Sequence, residues 1–498
     1  MSTYETFVER LHELADINHA QGLLSWDQET YMPPRGAAMR ARALGTLAGL
    51  YHERLTAPEL VALVADLKGT ELTGDAAVNV REIDRQQSRS LKLPKKLVVD
   101  LSQTESLGHE AWIEARQKSD FALFLPWLEK IVALRKEVAE RVGYEGAMYN
   151  ALLDEYEPYA RAEQIAPIFA QLKAQLVPLV EQIAATGLYP ARGVLDQAYP
   201  IEQQELFGRQ VLADLGFDLE AGRLDLAVHP FCSGTSRDDV RLTTRYSADW
   251  LPGSLFGTIH EAGHGLYEQG LPADASGTPA GASVSLGIHE SQSRLWENVV
   301  GRSKAFWTHY LPKLQALFPQ QLRAVDLDAF YAAVNQVEPS LIRVEADEVT
   351  YNLHILLRFE LECDLIEGQV AVAELPAAWN ERMEQYLGIR PPNDGLGVLQ
   401  DTHWSCGLLG YFPTYALGNL YAAQFSYQAH QDLPDLEAQI AQGALGPLKT
   451  WLNEKIHARG ARATASELVE EVTGAQLSAD YFIDYLWEKF GALYGLSR

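Results

Sequence analysis

Hydrophobic residues recur every three or four positions along most of this chain. The stretch TYETFVERLHELADINHAQGLLSW, residues 3–26, carries that spacing, and so do FLPWLEKIVALRKEVAERV (124–142), AEQIAPIFAQLKAQLVPLVEQIAA (162–185) and SADYFIDYLWEKFGALYG (478–495). The period puts one apolar stripe on one face of a helix, so most of the chain is predicted helical. In YMPPRG (31–36), two prolines end the first helix and a new one starts after the glycine. Strand signals gather in one region. LDLAVHPFCSG (224–234) and DVRLTTRY (239–246) are rich in β-formers and joined by the turn-like SGTSRD, and GASVSLGIH (281–289) alternates small and apolar residues. The expected architecture is mainly α with a small three-stranded β-sheet at the active site. A division into an N-terminal helical part (1–195) and a catalytic part (196–498) is soft, because composition does not shift there.

One apolar segment carries chemistry. FGTIHEAGHGLYEQG (256–270) holds His260 and His264 four residues apart, with Glu261 and Gly263 between them. On a helix, residues i and i+4 are about 40° apart in projection and share a face. The two imidazoles can therefore hold one divalent ion. Glu261 lies about 100° round the helix, within reach of a metal-bound water without binding the metal. Gly263 costs roughly 1 kcal/mol against alanine in a helix interior, which implies that something packs closely there. A catalytic zinc takes three protein ligands and leaves a position for water. The third is expected from HESQSRLWENVVG, which begins at His289 and reads as an amphipathic helix. Glu290 is the simpler choice and His289 the competing one.

Composition narrows the class. The 498 residues are 47% hydrophobic and 22% charged, enough apolar material for a large core. The formal net charge of -26 repels nucleic-acid phosphates and anionic membranes, so neither is an expected partner. No window reaches the roughly 18 to 20 apolar residues of a membrane span, and the N-terminus does not read as a secretion signal. Cys232, Cys363 and Cys406 are scattered and odd in number, as expected of free thiols in a cytoplasmic protein.

A set of motifs in order extends this picture. DVRLT (Asp239–Thr243), HEAGH (His260–His264), HESQ (His289–Gln292), IRVEAD (Ile342–Asp347) and GVLQDTHW (Gly397–Trp404) follow one another, flanked upstream by SWDQETYMPPRG and YNALLDEYEP. Together they resemble the M32 metallocarboxypeptidases, the carboxypeptidase Taq type, over nearly the whole chain. The resemblance implies one peptidase domain over residues 1–498. It implies a gluzincin fold with a deep groove, similar to neurolysin and angiotensin-converting enzyme, and a homodimer. It also implies removal of single C-terminal residues with broad specificity. The cofactor it implies is one Zn2+ per chain, with Co2+ a possible substitute.

An exopeptidase must recognise a free α-carboxylate, which suits arginine. Arg343 stands four residues before Asp347, and residue chemistry alone leaves carboxylate clamp and salt bridge both open. The resemblance points to Arg343 as the clamp. Arg241 is the runner-up, with a structural role in its strand the simpler reading. The resemblance also favours His403 and Tyr415 as donors to the developing oxyanion, and Tyr411 near the substrate carboxylate. His229, His354 and Cys406 lie close to these motifs and read as structural, with His354 expected on the helix face of Arg343. The metal ligands are His260, His264 and Glu290, and Glu261 is the general base. The rival reading is an endo-acting oligopeptidase of the thimet or neurolysin kind, with the same metal chemistry but no demand for a free C-terminus.

Overall fold

The computed structural model describes residues 2–188 and 192–498. The helices that matter below are α1 (Thr3–Glu29), α2 (Ala37–Leu55), α3 (Lys95–Lys118), α4 (Leu125–Val142) and α5 (Ala162–Ala185), then α6 (Leu251–Gly270), α7 (Leu286–Arg294), α8 (Tyr351–Glu367) and α9 (Pro413–Asp432). Strands β1 (Gly222–Leu226), β2 (Cys232–Ser236) and β3 (Asp239–Thr244) stand between α5 and α6. No helix among the described residues is long and apolar enough to cross a membrane.

The periodic stretches form the helices they predict. α1 starts at a capping box between Ser2 and Glu5, and buries Phe7, Leu11 and Leu14 at spacings of four and three. It ends before the prolines, and Pro34–Gly36 makes one 3-10 turn ahead of α2. The chain forms two compact units. The first comprises Met1–Leu91, Ala191–Val334 and Phe425–Gln476; the second comprises Lys92–Pro190, Asn335–Gln424 and Leu477–Arg498. Each is built from three separate stretches, and the chain passes from the second unit to the first near residue 190. In the first unit, the α1 stripe packs with Leu55, Leu60, Val64, Leu67, Val80 and Ile83. In the second, Leu97 and Leu101 of α3 pack with Val138 and Val142 of α4.

The sheet has three strands in the order β1-β3-β2, with β1 parallel and β2 antiparallel to β3. Its strands are not all those the pattern predicts. LDLAVHPFCSG splits: β1 ends at Leu226 and β2 begins at Cys232. Pro230, which has no N–H to offer a ladder, lies in the break. GASVSLGIH is not a strand. Pro279–Gly281 is a 3-10 turn, and the Ser285 hydroxyl accepts from the Ile288 N–H to open α7. A helix cap thus overrides the alternation of small and apolar residues. The central strand, β3, lies against α6. Thr244 and Thr258 join their hydroxyls at 3.1 Å. At Gly265, a Cβ would come within 2.8 Å of Leu242.

Gly263 is explained by α7. A Cβ there would lie 2.5 Å from the Gln292 carbonyl oxygen and 2.5 Å from the Ser293 Cα. Both are backbone atoms, so neither can swing away. Overpacking of this kind typically costs about 1–3 kcal/mol, against about 1 kcal/mol regained in helix propensity. Gly263→Ala is therefore expected to lower the melting temperature and, by pushing α7 off α6, to lower bound metal. Unchanged melting and metal content would show that the two helices are not clamped at this point.

Candidate metal centre and substrate-binding cluster

The apolar run LFGTI and the small residues after it bury α6 on nearly every side, including Glu261. His260 and His264 remain on one face of that helix. α7, capped by Ser285, carries Glu290 to the same place. One ligand atom from each of His260, His264 and Glu290 lies within 4.8 Å of the other two. Glu290 Oε2 is 3.4 Å from His264 Nε2 and 3.8 Å from His260 Nε2. Ligands of a tetrahedral zinc stand about 3.4 Å apart when each bond is about 2.1 Å, so this donor set fits a divalent ion of that size.

The protonation states fit as well. Burial drives His264 down to about 3, which leaves its ring neutral with a lone pair to give. Glu290 is buried, yet Arg294 and the two histidines hold it well below the usual carboxylate range. Its Oε1 accepts from Arg294 Nε at 2.7 Å, leaving Oε2 toward the histidines. Burial lowers His260 too, but Glu290, Glu297 and Glu261 outweigh it and raise the ring. A cation at this site competes with protonation of that ring. Glu261 is pushed up to about 7, first by burial and then by the neighbouring carboxylates, against the pull of His260. A carboxyl poised there can exchange a proton near neutral pH.

Sequence reasoning missed the residues behind the candidate ligands. Glu297 Oε2 accepts from His260 Nδ1 at 2.8 Å, and Arg294 and Arg302 pin the same carboxylate. The pattern contained a signal, since Glu290, Arg294 and Glu297 are spaced i, i+4, i+7. The competing ligand His289 does not join the cluster. Its Nδ1 meets His264 Nδ1 at 2.6 Å and its Nε2 meets Glu268 Oε1 at 2.7 Å.

The second unit gathers the other candidates. Arg343 lies in the 3-10 turn Arg343–Glu345, well before α8 begins at Tyr351, so the expected single helix through both does not form. The pair with Asp347 does not form either. Asp347 instead accepts from the Val349 and Thr350 N–H groups, the Thr350 hydroxyl and the Glu338 N–H. Arg343 donates from Nε and Nη2 to Asp401 Oδ1 at 3.0 and 2.8 Å, and from Nη1 to the Tyr351 hydroxyl at 3.0 Å. Arg358 Nε reaches Asp401 Oδ2 at 2.7 Å. Two buried guanidiniums thus share one carboxylate, so these three groups together carry a positive charge.

His403 and Tyr415 do meet, Nε2 to hydroxyl at 3.2 Å. Tyr411 packs its ring against both, at 5.5 and 5.4 Å. The Arg343 guanidinium lies 5.1 Å from the centre of the Tyr415 ring. Burial and the two arginines bring His403 down to about 4 against the pull of Asp401, so it is neutral near pH 7. His354 is fully buried in α8 and its carbonyl accepts from Arg358; Arg343 lies outside that helix, so the two share no helix face. Glu362 also escaped the sequence reading. It accepts from Tyr149, Trp404 and the Gly410 N–H, which ties the segments of His403 and Tyr411 to α8. Arg241 pairs with Asp239 and stacks on Trp26. His229 is exposed, and Cys406 lies 3.7 Å from His109.

The family model for "Carboxypeptidase Taq (M32) metallopeptidase" matches residues 6–490. This chain belongs to the M32 metallocarboxypeptidase family. It is 46% identical to thermostable carboxypeptidase 1 of Thermus thermophilus, over 99% of both chains. It is 40% identical to carboxypeptidase 1 of Bacillus subtilis, again over 99% of both. The crystal structure of an M32 carboxypeptidase from Deinococcus radiodurans matches with a TM-score of 0.97 at 40% identity, covering all of both chains. The protein is thus a metal-dependent peptide-bond hydrolase acting at the C-terminus, and the mainly helical gluzincin architecture is that of its family. The endo-acting alternative has no support among these relatives.

If Glu290 is the third ligand, Glu290→Ala removes the only charged donor and leaves two imidazoles. The purified variant is expected to retain far less metal than His289→Ala, by elemental analysis after dialysis. The reverse ranking would give the place to His289.

Proposed function

We propose that His260, His264 and Glu290 hold one Zn2+ per chain, with Co2+ able to replace it, and that Glu261 is the general base. The fit of the donor set to a tetrahedral ion is the observation that carries this reading. A divalent cation held there supplies Lewis-acid polarisation of the scissile carbonyl and makes water more acidic. Glu261 takes the proton of the attacking water and returns it to the leaving amine. Its carboxyl, whose pKa burial raises, lies one residue from His260 on α6, in place for both transfers. His403 and Tyr415 donate to the carbonyl oxygen as it turns negative. Arg343, held in orientation by Asp401 and Tyr351, receives the terminal carboxylate, with Tyr411 beside it. The surplus positive charge of the Arg343–Asp401–Arg358 group supports that assignment. We further propose one peptidase domain over 1–498, broad side-chain specificity, a homodimer and a cytoplasmic location. Peptides with a free C-terminus are the partners, and nucleic acid and membranes are not.

Glu261→Gln keeps the shape and loses the base. It is expected to bind metal normally and to lose about 10²- to 10⁴-fold in kcat. Near-wild-type turnover by metal-loaded Glu261→Gln would remove Glu261 from this role.

Arg343→Ala is expected to lower kcat/KM on free-acid peptides by about 10- to 100-fold, the range of charge-assisted hydrogen bonds. Residual cleavage of C-terminally amidated peptides should stay at its wild-type level, because those substrates never make the contact. Metal content should not change. Equal losses on both substrates would make Arg343 a structural partner of Asp401.

A further inference from the structure

His260, His264 and Glu268 follow one another at i, i+4 and i+8 on α6, so all three face the same way. His289 of α7 stands between the last two. Its ring lies 4.7 Å from that of His264, its Nδ1 is 2.6 Å from His264 Nδ1, and its Nε2 is 2.7 Å from Glu268 Oε1. Tyr267 packs its ring against His289 at 5.1 Å.

We propose that His289 and Glu268 are positioning residues, a relay that fixes the ring and tautomer of His264 for metal binding. This rests on the reading of His264 as a ligand. His264 Nε2 is the nitrogen nearest Glu290 Oε2, at 3.4 Å. A neutral imidazole that gives a lone pair from Nε2 carries its hydrogen on Nδ1. Among the described residues that Nδ1–H has one partner, His289 Nδ1, which must then be the acceptor. His289 consequently carries its hydrogen on Nε2 and donates it to Glu268. The chain ends on a carboxylate, a group that accepts without needing to donate. Any other set of neutral tautomers puts two N–H groups or two lone pairs face to face. The two histidines are therefore backed differently: His260 directly by Glu297, His264 through a second imidazole.

The sheet holds the far end of the relay. At Gly234 of β2, a Cβ would lie 2.6 Å from Glu268 Oε2. The carboxylate is the mobile end of a long side chain, so Gly234→Ala would move it rather than break the fold. This substitution disturbs the relay while leaving each of its members in place.

The test measures zinc affinity of the full-length protein by chelator competition, with cobalt absorption spectra and melting temperatures alongside. Partners behind a metal-bound histidine typically account for about 10- to 100-fold in affinity. Glu268→Ala and His289→Phe are each expected to weaken zinc binding within that range. The double variant should be no weaker than the worse single one, since both break one chain. Gly234→Ala should weaken binding in the same direction. Glu268→Gln, which keeps an acceptor for His289 Nε2, should recover most of the affinity and the wild-type cobalt spectrum. Wild-type affinity and spectrum in Glu268→Ala and His289→Phe, with only the melting temperature lowered, would overturn the relay and leave packing. Additive losses in the double variant would overturn it as well. His264→Ala separates the two readings: if that variant binds zinc normally, the ligand assignment fails, and the relay fails with it.

Discussion

Glu290 reaches the two imidazoles only because α6 and α7 touch at the level of their backbones. Gly263 is the contact. Its missing side chain is the space that the Gln292 carbonyl and the Ser293 Cα occupy. At this separation the Glu290 carboxylate on one helix comes within 3.4 and 3.8 Å of the two histidines on the other. Everything proposed for hydrolysis in the first unit depends on that approach. The cost of a glycine inside a helix is offset by a donor triangle of the right size.

Charge balance then decides which groups are ionised. Glu261, Glu290 and Glu297 crowd the same buried volume, yet they behave differently. Glu290 and Glu297 each face an arginine and a histidine, and both stay ionised. Glu261 lacks an arginine partner among its leading influences, so burial dominates and its carboxyl rises to about 7. Three residues of one chemical type thus differ in ionisation through their neighbours alone, which supports the separate roles proposed for them. The second unit applies the same rule with opposite sign. Asp401 between two arginines stays ionised, and the surplus positive charge remains buried beside His403, Tyr411 and Tyr415.

Much of this was legible in the sequence. The three-and-four spacing predicted the long helices, because amphipathic helices show their buried stripe directly. His260, Glu261 and His264 could be read as a unit because one helical turn fixes their relative directions. The M32 motifs named the family and pointed to Glu290, Arg343, His403, Tyr411 and Tyr415, all of which the structure places in one cluster or the other. The sheet was half legible. Its region was right, but GASVSLGIH misled, because a serine cap and a short strand give similar local patterns.

What the sequence alone determined is local: which segments are helical, which face of α6 carries the imidazoles, and that Gly263 must abut something. What only the tertiary structure decided is every pairing between segments. Arg343 had Asp347 four residues away, and a continuous helix would have joined them. It meets Asp401 instead, because the helix begins at Tyr351 and Asp347 is spent on backbone N–H groups ahead of it. His289 was a possible ligand by sequence. In space it backs His264, since its neighbour Glu290 takes the inward position and Glu268, 21 residues earlier, holds its other nitrogen. Partners so far apart in the chain leave no periodic trace in it, because their distance is set by helix packing and not by the spacing of residues along one helix.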